Sequence, residues 1–373
     1  MNQPPRLSLW QKRQATLIYH FASLDYLKGL LPRLNALLQY ADDLVDQRKV
    51  VDAYMVSERW GTRDTSANWS TCAWPALADF REKTLADIAE RAHESYGRTG
   101  ASHCARMLDE YSMMWMTHEQ EALFKQRFEE VCRYAGEIDG LMGRLTPQND
   151  YTFWFTWQQH KHLFPRLPRF RVHTSVIGQS GQVPSRTGVY MPMDAPHGAL
   201  QFAWTGAHSA SGHRQGKLID SATFNDLGLA ALQAVGRKGL WGDKQGLIRF
   251  VQQSGCRPLL TTTRRDEQLQ NPRLIDSAIA RHAFQSRPCQ WHFVELLEGE
   301  YEESDPEATD DADTGYVPPT YAGQPCPRTG YWSTPAQQGS RRQFEQGEVL
   351  PSIPSETSKG LILWQWDTDQ GGN

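Results

Sequence analysis

The chain has 373 residues, 39% of them hydrophobic, which is enough to bury a sizeable core and excludes a disordered chain. A formal net charge of -4 offers no general attraction to polyanions, so no nucleic-acid partner is expected. Six cysteines without a CxxC pair exclude a zinc site of the usual spacing and read as buried thiols of a reducing compartment. The N-terminal stretch MNQPPRLSLWQKRQ lacks the basic-then-apolar layout of a signal peptide. The apolar stretch that follows, TLIYHFASLDYLKGLL, is broken by His20, Asp25 and Lys28, so neither a membrane span nor a membrane partner is expected and a cytoplasmic location is.

Residues 8–145 read as an antiparallel helical bundle. Leu24, Leu27, Leu31, Leu34, Leu38 and Ala41 recur at three- and four-residue steps, the stripe of a helix that Pro32 kinks or divides. The polar stretch 60–75 reads as a loop. Helices are predicted over about 76–96, 101–117 and 119–143, the last with Phe124, Phe128, Val131, Ala135, Ile138 and Met142 on one face. At TPQNDYTFWFTWQQH (146–160) aromatic and β-branched residues take over, and the alternation of Phe153, Phe155 and Trp157 predicts a strand. The domain boundary is placed there: a helical domain 1–145, then an α+β domain 146–373 with mainly antiparallel strands. In the second domain Leu200, Phe202 and Trp204 line a strand. Helices are predicted at 223–235, 243–254 and 272–285, and strands at 289–297 and 360–366.

One phrase occurs twice. PSRTGVYMP (184–192) and PRTGYWSTP (327–335) both carry Arg-Thr-Gly followed by aromatic residues and proline. Gly188 and Gly330 are expected at turns that need positive φ, each followed by a strand. Each copy is expected to have a second strand ending in Trp, Trp204 in one and Trp366 in the other.

A second compositional feature is an acidic run. Glu298, Glu300, Glu302, Glu303, Asp305, Glu307, Asp310, Asp311 and Asp313 fall in a stretch, 288–327, without Lys until its end or Arg until its end. It reads as an acidic loop at 298–316, either a solvated linker or an arm that enters a basic cleft on a partner.

No fragment completes a catalytic set. Asp42, Asp43 and Asp46 spell DDxxD, the pattern that holds magnesium against diphosphate in helical prenyl-transferring enzymes, but no second acidic motif faces it. His118-Glu119 begins an HExxH that Ala122 breaks, and Gly178-Gln-Ser180-Gly181 stops short of a nucleophile elbow. His160 and His162 are a weak metal signal, and the loop HSASGHRQG (208–216) has no acid at a defined spacing. These absences favour a protein that binds over one that catalyses, with no cofactor and no metal.

The strings AGQPCPRTGYW (322–332), SRRQFEQGEVLPS (340–352) and LWQWD (363–367) resemble a signature of immunity proteins in bacterial polymorphic-toxin systems of the Rhs and type VI secretion kind. GVYMP (188–192), LQFAWTG (200–206), FNDLG (224–228), VGRKGLWGD (235–243) and WHFVELLEGEYE (291–302) resemble the body of the same families, so the likeness covers about 184–367. It implies a non-enzymatic inhibitor of a cognate toxin domain, with a nuclease or an ADP-ribosyltransferase both compatible with an acidic arm. Toxin-binding candidates are Glu298, Glu300, Glu302, Glu303, Asp305, Asp310, Asp311 and Asp313, with Trp241 in GLWGD as an aromatic anchor. The alternatives are an adaptor or chaperone for a secreted effector and a magnesium-dependent helical enzyme built on Asp42, Asp43 and Asp46.

Overall fold

Two signals set the frame of the molecule: polar caps that start helices, and glycines that start strands. The computed structural model describes residues 5–48, 65–143, 148–195, 197–206, 215–252, 275–305, 308, 316–334, 336, 337, 339–353, 362–367 and 370. The fold is α+β, with helices in the N-terminal half and antiparallel sheets later. The chain divides into two compact units, one of residues 1–223 with 286–304, the other of 224–285 with 305–373.

In the first unit, Ser8 caps α1 (Leu9–Ala22) in a capping box with Gln11. After α2 (Leu24–Lys28), Gly29 breaks the helix and α3 (Leu30–Arg48) starts in a new phase. The buried stripe is therefore Leu27, Leu30, Leu34, Leu37, Leu38 and Ala41, while Leu24 lies at the surface. The expected loop at 60–75 contains α4 (Ser66–Cys72) and the start of α5 (Trp74–Glu90). Thr65 caps the former, and a proline in the first turn suits the latter. α6 (Ala101–Asp109) and α7 (His118–Met142) follow, α7 with a Thr117–Gln120 capping box. Elements α3 to α7 share one core around Trp69, Phe80 and Phe124.

The strand expected at 146–160 is a helix, α8 (Asp150–His160). Asn149 accepts from the Thr152 amide as its N-cap, and Phe153 and Trp157, four apart, form its buried face while Phe155 is exposed. Every second residue being aromatic suggested a strand, but the cap and the four-residue pair decided the outcome. α8 and α1 pack on the first sheet, around Trp10, Leu17, Phe21, Trp157, Leu167, Val189 and Val294. The helices before 145 and the strands after 160 thus share a core, and no boundary between compact units falls near 146.

That sheet has the order β1-β6-β2-β3, from β1 (Arg166–Gln179), β2 (Gly188–Pro192), β3 (Gln201–Ala203) and β6 (Gln290–Glu303). β4 (Ser221–Phe224) and β5 (Phe284–Arg287), which carry the chain out of the first unit and back, pair as a two-stranded sheet. In the second unit α9 (Asp226–Gly242), capped by Asn225, packs with α10 (Lys244–Gln252) and α11 (Ile275–His282) around Phe224, Leu232, Phe250 and Ile279. The second unit also holds a four-stranded sheet of order β7-β10-β8-β9, from β7 (Thr320–Tyr321), β8 (Gly330–Ser333), β9 (Arg342–Phe344) and β10 (Leu363–Trp366). Its core is Val317, Cys326, Trp332, Phe344, Leu350 and Trp364.

Gly188 and Gly330 start β2 and β8, at φ of 151° and 157°. The strand expected to end in Trp204 is β3, and the one expected to end in Trp366 is β10. The two are not equivalents, since β3 is a hairpin-side partner of β2 and its counterpart beside β8 is β9.

Candidate interaction surface

The acidic run does not begin as a loose arm. Glu298, Glu300, Glu302 and Glu303 belong to β6, paired antiparallel with β1. The strand forms because β1 supplies a complementary face: Arg166 lies opposite Glu303, and Arg171 opposite Glu295. The Arg171 guanidinium is 3.5 Å from Glu295, and His173 Nε2 is 2.8 Å from the same carboxylate. That His173 hydrogen bond, more than the nearby Arg171 charge, holds the Glu295 carboxyl below its usual range. Lys12 Nζ on α1 meets Glu302 Oε1 at 2.5 Å. Like-charge repulsion along the run is thus relieved by cations from other parts of the same unit, which composition alone does not reveal.

The pairing has one break inside the acidic segment. Leu297 pairs with Arg169 and Tyr301 with Pro168, which leaves Glu298, Gly299 and Glu300 unopposed in a bulge. Gly299 has φ 75°, a conformation that glycine adopts at little cost. Glu298 and Glu300 are exposed, and Tyr301 beside them is 51% exposed with the Arg166 guanidinium 5.2 Å from its ring centre. The result is two carboxylates and an aromatic ring held on a strand pair whose two members are 14 residues each. Tyr301 was missed in the sequence, although the alternation EGEYEE around a glycine was the available signal.

The other candidates separate. Asp305 is exposed just after β6, whereas Asp310, Asp311 and Asp313 lie outside the described residues. Trp241 is half-buried on α9, its ring 5.9 Å from that of Phe284 and 6.3 Å from that of Phe224, so it packs in the second unit's helical core. Asp42, Asp43 and Asp46 lie on α3, where Gln39 Nε2 donates to Asp43 at 2.9 Å. Ser180, of the incomplete elbow, is committed to structure. Its Oγ accepts from the Cys289 amide at 3.1 Å and from Trp291 Nε1 at 3.2 Å. His160 Nε2 sits 3.0 Å from Glu137. Among the described residues no three His, Cys, Asp or Glu side chains gather as a metal site. Burial pushes the Cys289 thiol up to about 11 and the Cys104 thiol up to about 12, so neither is a ready nucleophile at neutral pH. Among the described residues no helix is long and apolar enough to cross a membrane.

No protein-family model, no curated protein and no solved structure matches the chain.

Proposed function

We propose that the chain is a cytoplasmic immunity protein that binds a cognate antibacterial toxin domain and occludes its active site. The observation that carries this reading is the bulge on β6. Glu298, Glu300 and Tyr301 are exposed, yet fixed to a long strand pair whose other charges are paired. Carboxylates held in place lose little freedom on binding, so a cationic cleft gains most of the charge-assisted contact. A neighbouring exposed tyrosine supplies the kind of anchor that dominates interface energies. A nuclease and an ADP-ribosyltransferase both present cationic clefts of that kind. The strings that resemble the immunity families support the reading, because GVYMP, WHFVELLEGEYE and LWQWD are the strand sequences of β2, β6 and β10.

The test is co-expression with the product of the adjacent gene. That product is expected to be toxic alone and harmless with this chain, in a complex burying on the order of 1,200 Å² or more. The variant E298Q/E300Q/Y301A is expected to associate at least ten-fold more slowly, with a weaker salt dependence, and to melt like the parent. A neighbour that is not toxic, or rescue and association rates unchanged in the variant, would defeat the proposal.

A further inference from the structure

We infer that the two four-stranded sheets are two copies of one module, repeated within the chain. The shared strand order is the first ground. In both sheets the first strand lies beside the last, the last beside the second, and the second beside the third. A simple up-and-down run of strands would give neighbours in sequence order, so this arrangement is a specific one.

Register is the second ground. Every cross-strand pair of the second sheet has its counterpart in the first. Thr320↔Trp364 and Tyr321↔Leu363 correspond to Gly178↔Trp291 and Gln179↔Gln290. Trp332↔Trp366 and Ser333↔Gln365 correspond to Tyr190↔Phe293 and Met191↔His292. Gly330↔Phe344, Tyr331↔Gln343 and Trp332↔Arg342 correspond to Gly188↔Ala203, Val189↔Phe202 and Tyr190↔Gln201. These equivalences align GQSGQVPSRTGVY with TYAGQPCPRTGYW without a gap.

The connections repeat at atomic detail. Gly181 and Gly323 have φ of 84° and 87°, and each donates its amide to a buried leucine carbonyl at 2.7 Å, Leu218 in one copy and Leu350 in the other. Those leucines donate back to Gln182 at 2.9 Å and to Gln324 at 3.0 Å. Ser180 and Ala322 donate to Cys289 and Ile362, at 3.1 and 2.9 Å. Thr187 Oγ1 accepts from the Thr205 amide at 3.1 Å, and Thr329 Oγ1 from the Gln346 amide at 2.9 Å. The Arg186 carbonyl accepts from Tyr190 Oη at 2.6 Å, and the Arg328 carbonyl from Trp332 Nε1 at 3.1 Å. Each arginine also lies over the ring of the closing strand, 5.8 Å from Phe293 and 5.0 Å from Trp366. Edge-on ring pairs follow, Tyr190–Phe293 and Trp332–Trp366, both with centres 5.5 Å apart. Chance reuse of a turn would reproduce a glycine conformation, not a set of long-range partners.

The module also explains where the chain leaves the first unit. In the second copy a short connector links Leu350 to β10. In the first, the corresponding connector between Leu218 and β6 contains β4, the three helices α9–α11 and β5. Those helices are an insertion into the last loop of copy one, the kind of site where insertions are tolerated.

The two turns differ between Gly and Arg at three positions only, so the inference can be tested by rewriting one as the other. The triple variant V183P/P184C/S185P gives the first copy the second copy's turn. It is expected to melt within about 3 °C of the parent, a shift of less than ~1 kcal/mol. The amides of Gly181, Leu218 and Thr205 are expected to keep their protection from hydrogen exchange. Loss of protection at those amides, with protection retained in the control V183A/P184A/S185A, would overturn the inference. Should both variants fail to fold, exchange in the parent chain decides. Matched protection of Ser180, Gly181, Thr205 and Leu218 with Ala322, Gly323, Gln346 and Leu350 supports the repeat, and protection confined to one set overturns it.

Discussion

The first sheet is broad and the second is small, yet their registers agree. β1 and β6 run for 14 residues each, while β7 has two residues and β10 four. The first leans on helices: Tyr19 of α1 donates to the Val294 carbonyl, and Trp157 of α8 joins the same core. The core cluster of the second comes from its own strands and loops. Strand length and outside support therefore do not set the register. The turns do, through Gly181 and Gly323, the two threonine acceptors and the aromatic-to-arginine-carbonyl bond. Side chains on the strands then fill whatever space each copy has, so Ala203 in one copy stands where Phe344 stands in the other.

The largest effect that could break this equivalence is at the strand-starting glycines. A Cβ at Gly188 would sit 2.7 Å from the Phe293 ring, and one at Gly330 2.3 Å from the Trp366 ring, both at a φ that other residues avoid. Gly188→Ala and Gly330→Ala are each expected to cost on the order of 3 kcal/mol, read as a drop in thermal or denaturant midpoint. A cost at one position alone would separate the copies.

Next come the buried tryptophans of the closing strands. Trp291 Nε1 donates to Ser180 Oγ, and Trp364 Nε1 to the Pro351 carbonyl at 2.9 Å. Trp291→Phe and Trp364→Phe are each expected to lose roughly 2 kcal/mol, from an unpaired acceptor and a smaller ring. Denaturant titrations of the two variants should give the same sign and similar size.

A pH experiment sharpens the contrast, because the position held by His292 in copy one is Gln365 in copy two. Burial holds the His292 imidazole below its usual value, so the unfolded chain takes up the proton first as pH falls. The stability tied to neutral His292 is complete above about 6.5 and is lost as pH falls toward the folded value. His20, also held low by burial, acts in the same direction in the first unit. Melting from pH 7 to 5 should show a decline that His292→Gln reduces, while exchange at the second sheet changes less. An unchanged decline would assign the acid sensitivity elsewhere. The smallest effect is at Gln182 and Gln324, exposed in both copies. Replacing either by Ala should change stability by less than about 0.5 kcal/mol in a melt.

The sequence disclosed the repeat where it was written in glycine and threonine, and hid it where it was written in geometry. Arg-Thr-Gly is visible as letters, but β6 as the counterpart of β10 is not, since CQWHFVE and LILWQW share little beyond a tryptophan. β1 went unseen because its burial pattern is irregular, broken by the register shifts at Pro168/Arg169 and His173/Ile177. With β1 missing, the glutamates of β6 had no visible cations, and a strand looked like a tail. α8 was misread because its aromatic residues satisfy both periods, and only Asn149 distinguished them. Of the candidate site, the carboxylates were legible as composition. The bulge that fixes two of them, and Tyr301 beside them, depends on pairing with a strand more than a hundred positions away.

β1 is the outer strand of its sheet, and its makeup bears on how the protein behaves at high concentration. A long free strand edge is a template on which another chain can add, and repeated addition yields fibrils. Here Pro168 offers no amide, the pairing breaks twice along the strand, and Arg166, Arg169 and Arg171 are exposed. An incoming copy of β1 would meet like charges and a bent, interrupted edge. The same arginines that order the glutamates of β6 thus discourage the molecule from templating its own aggregation.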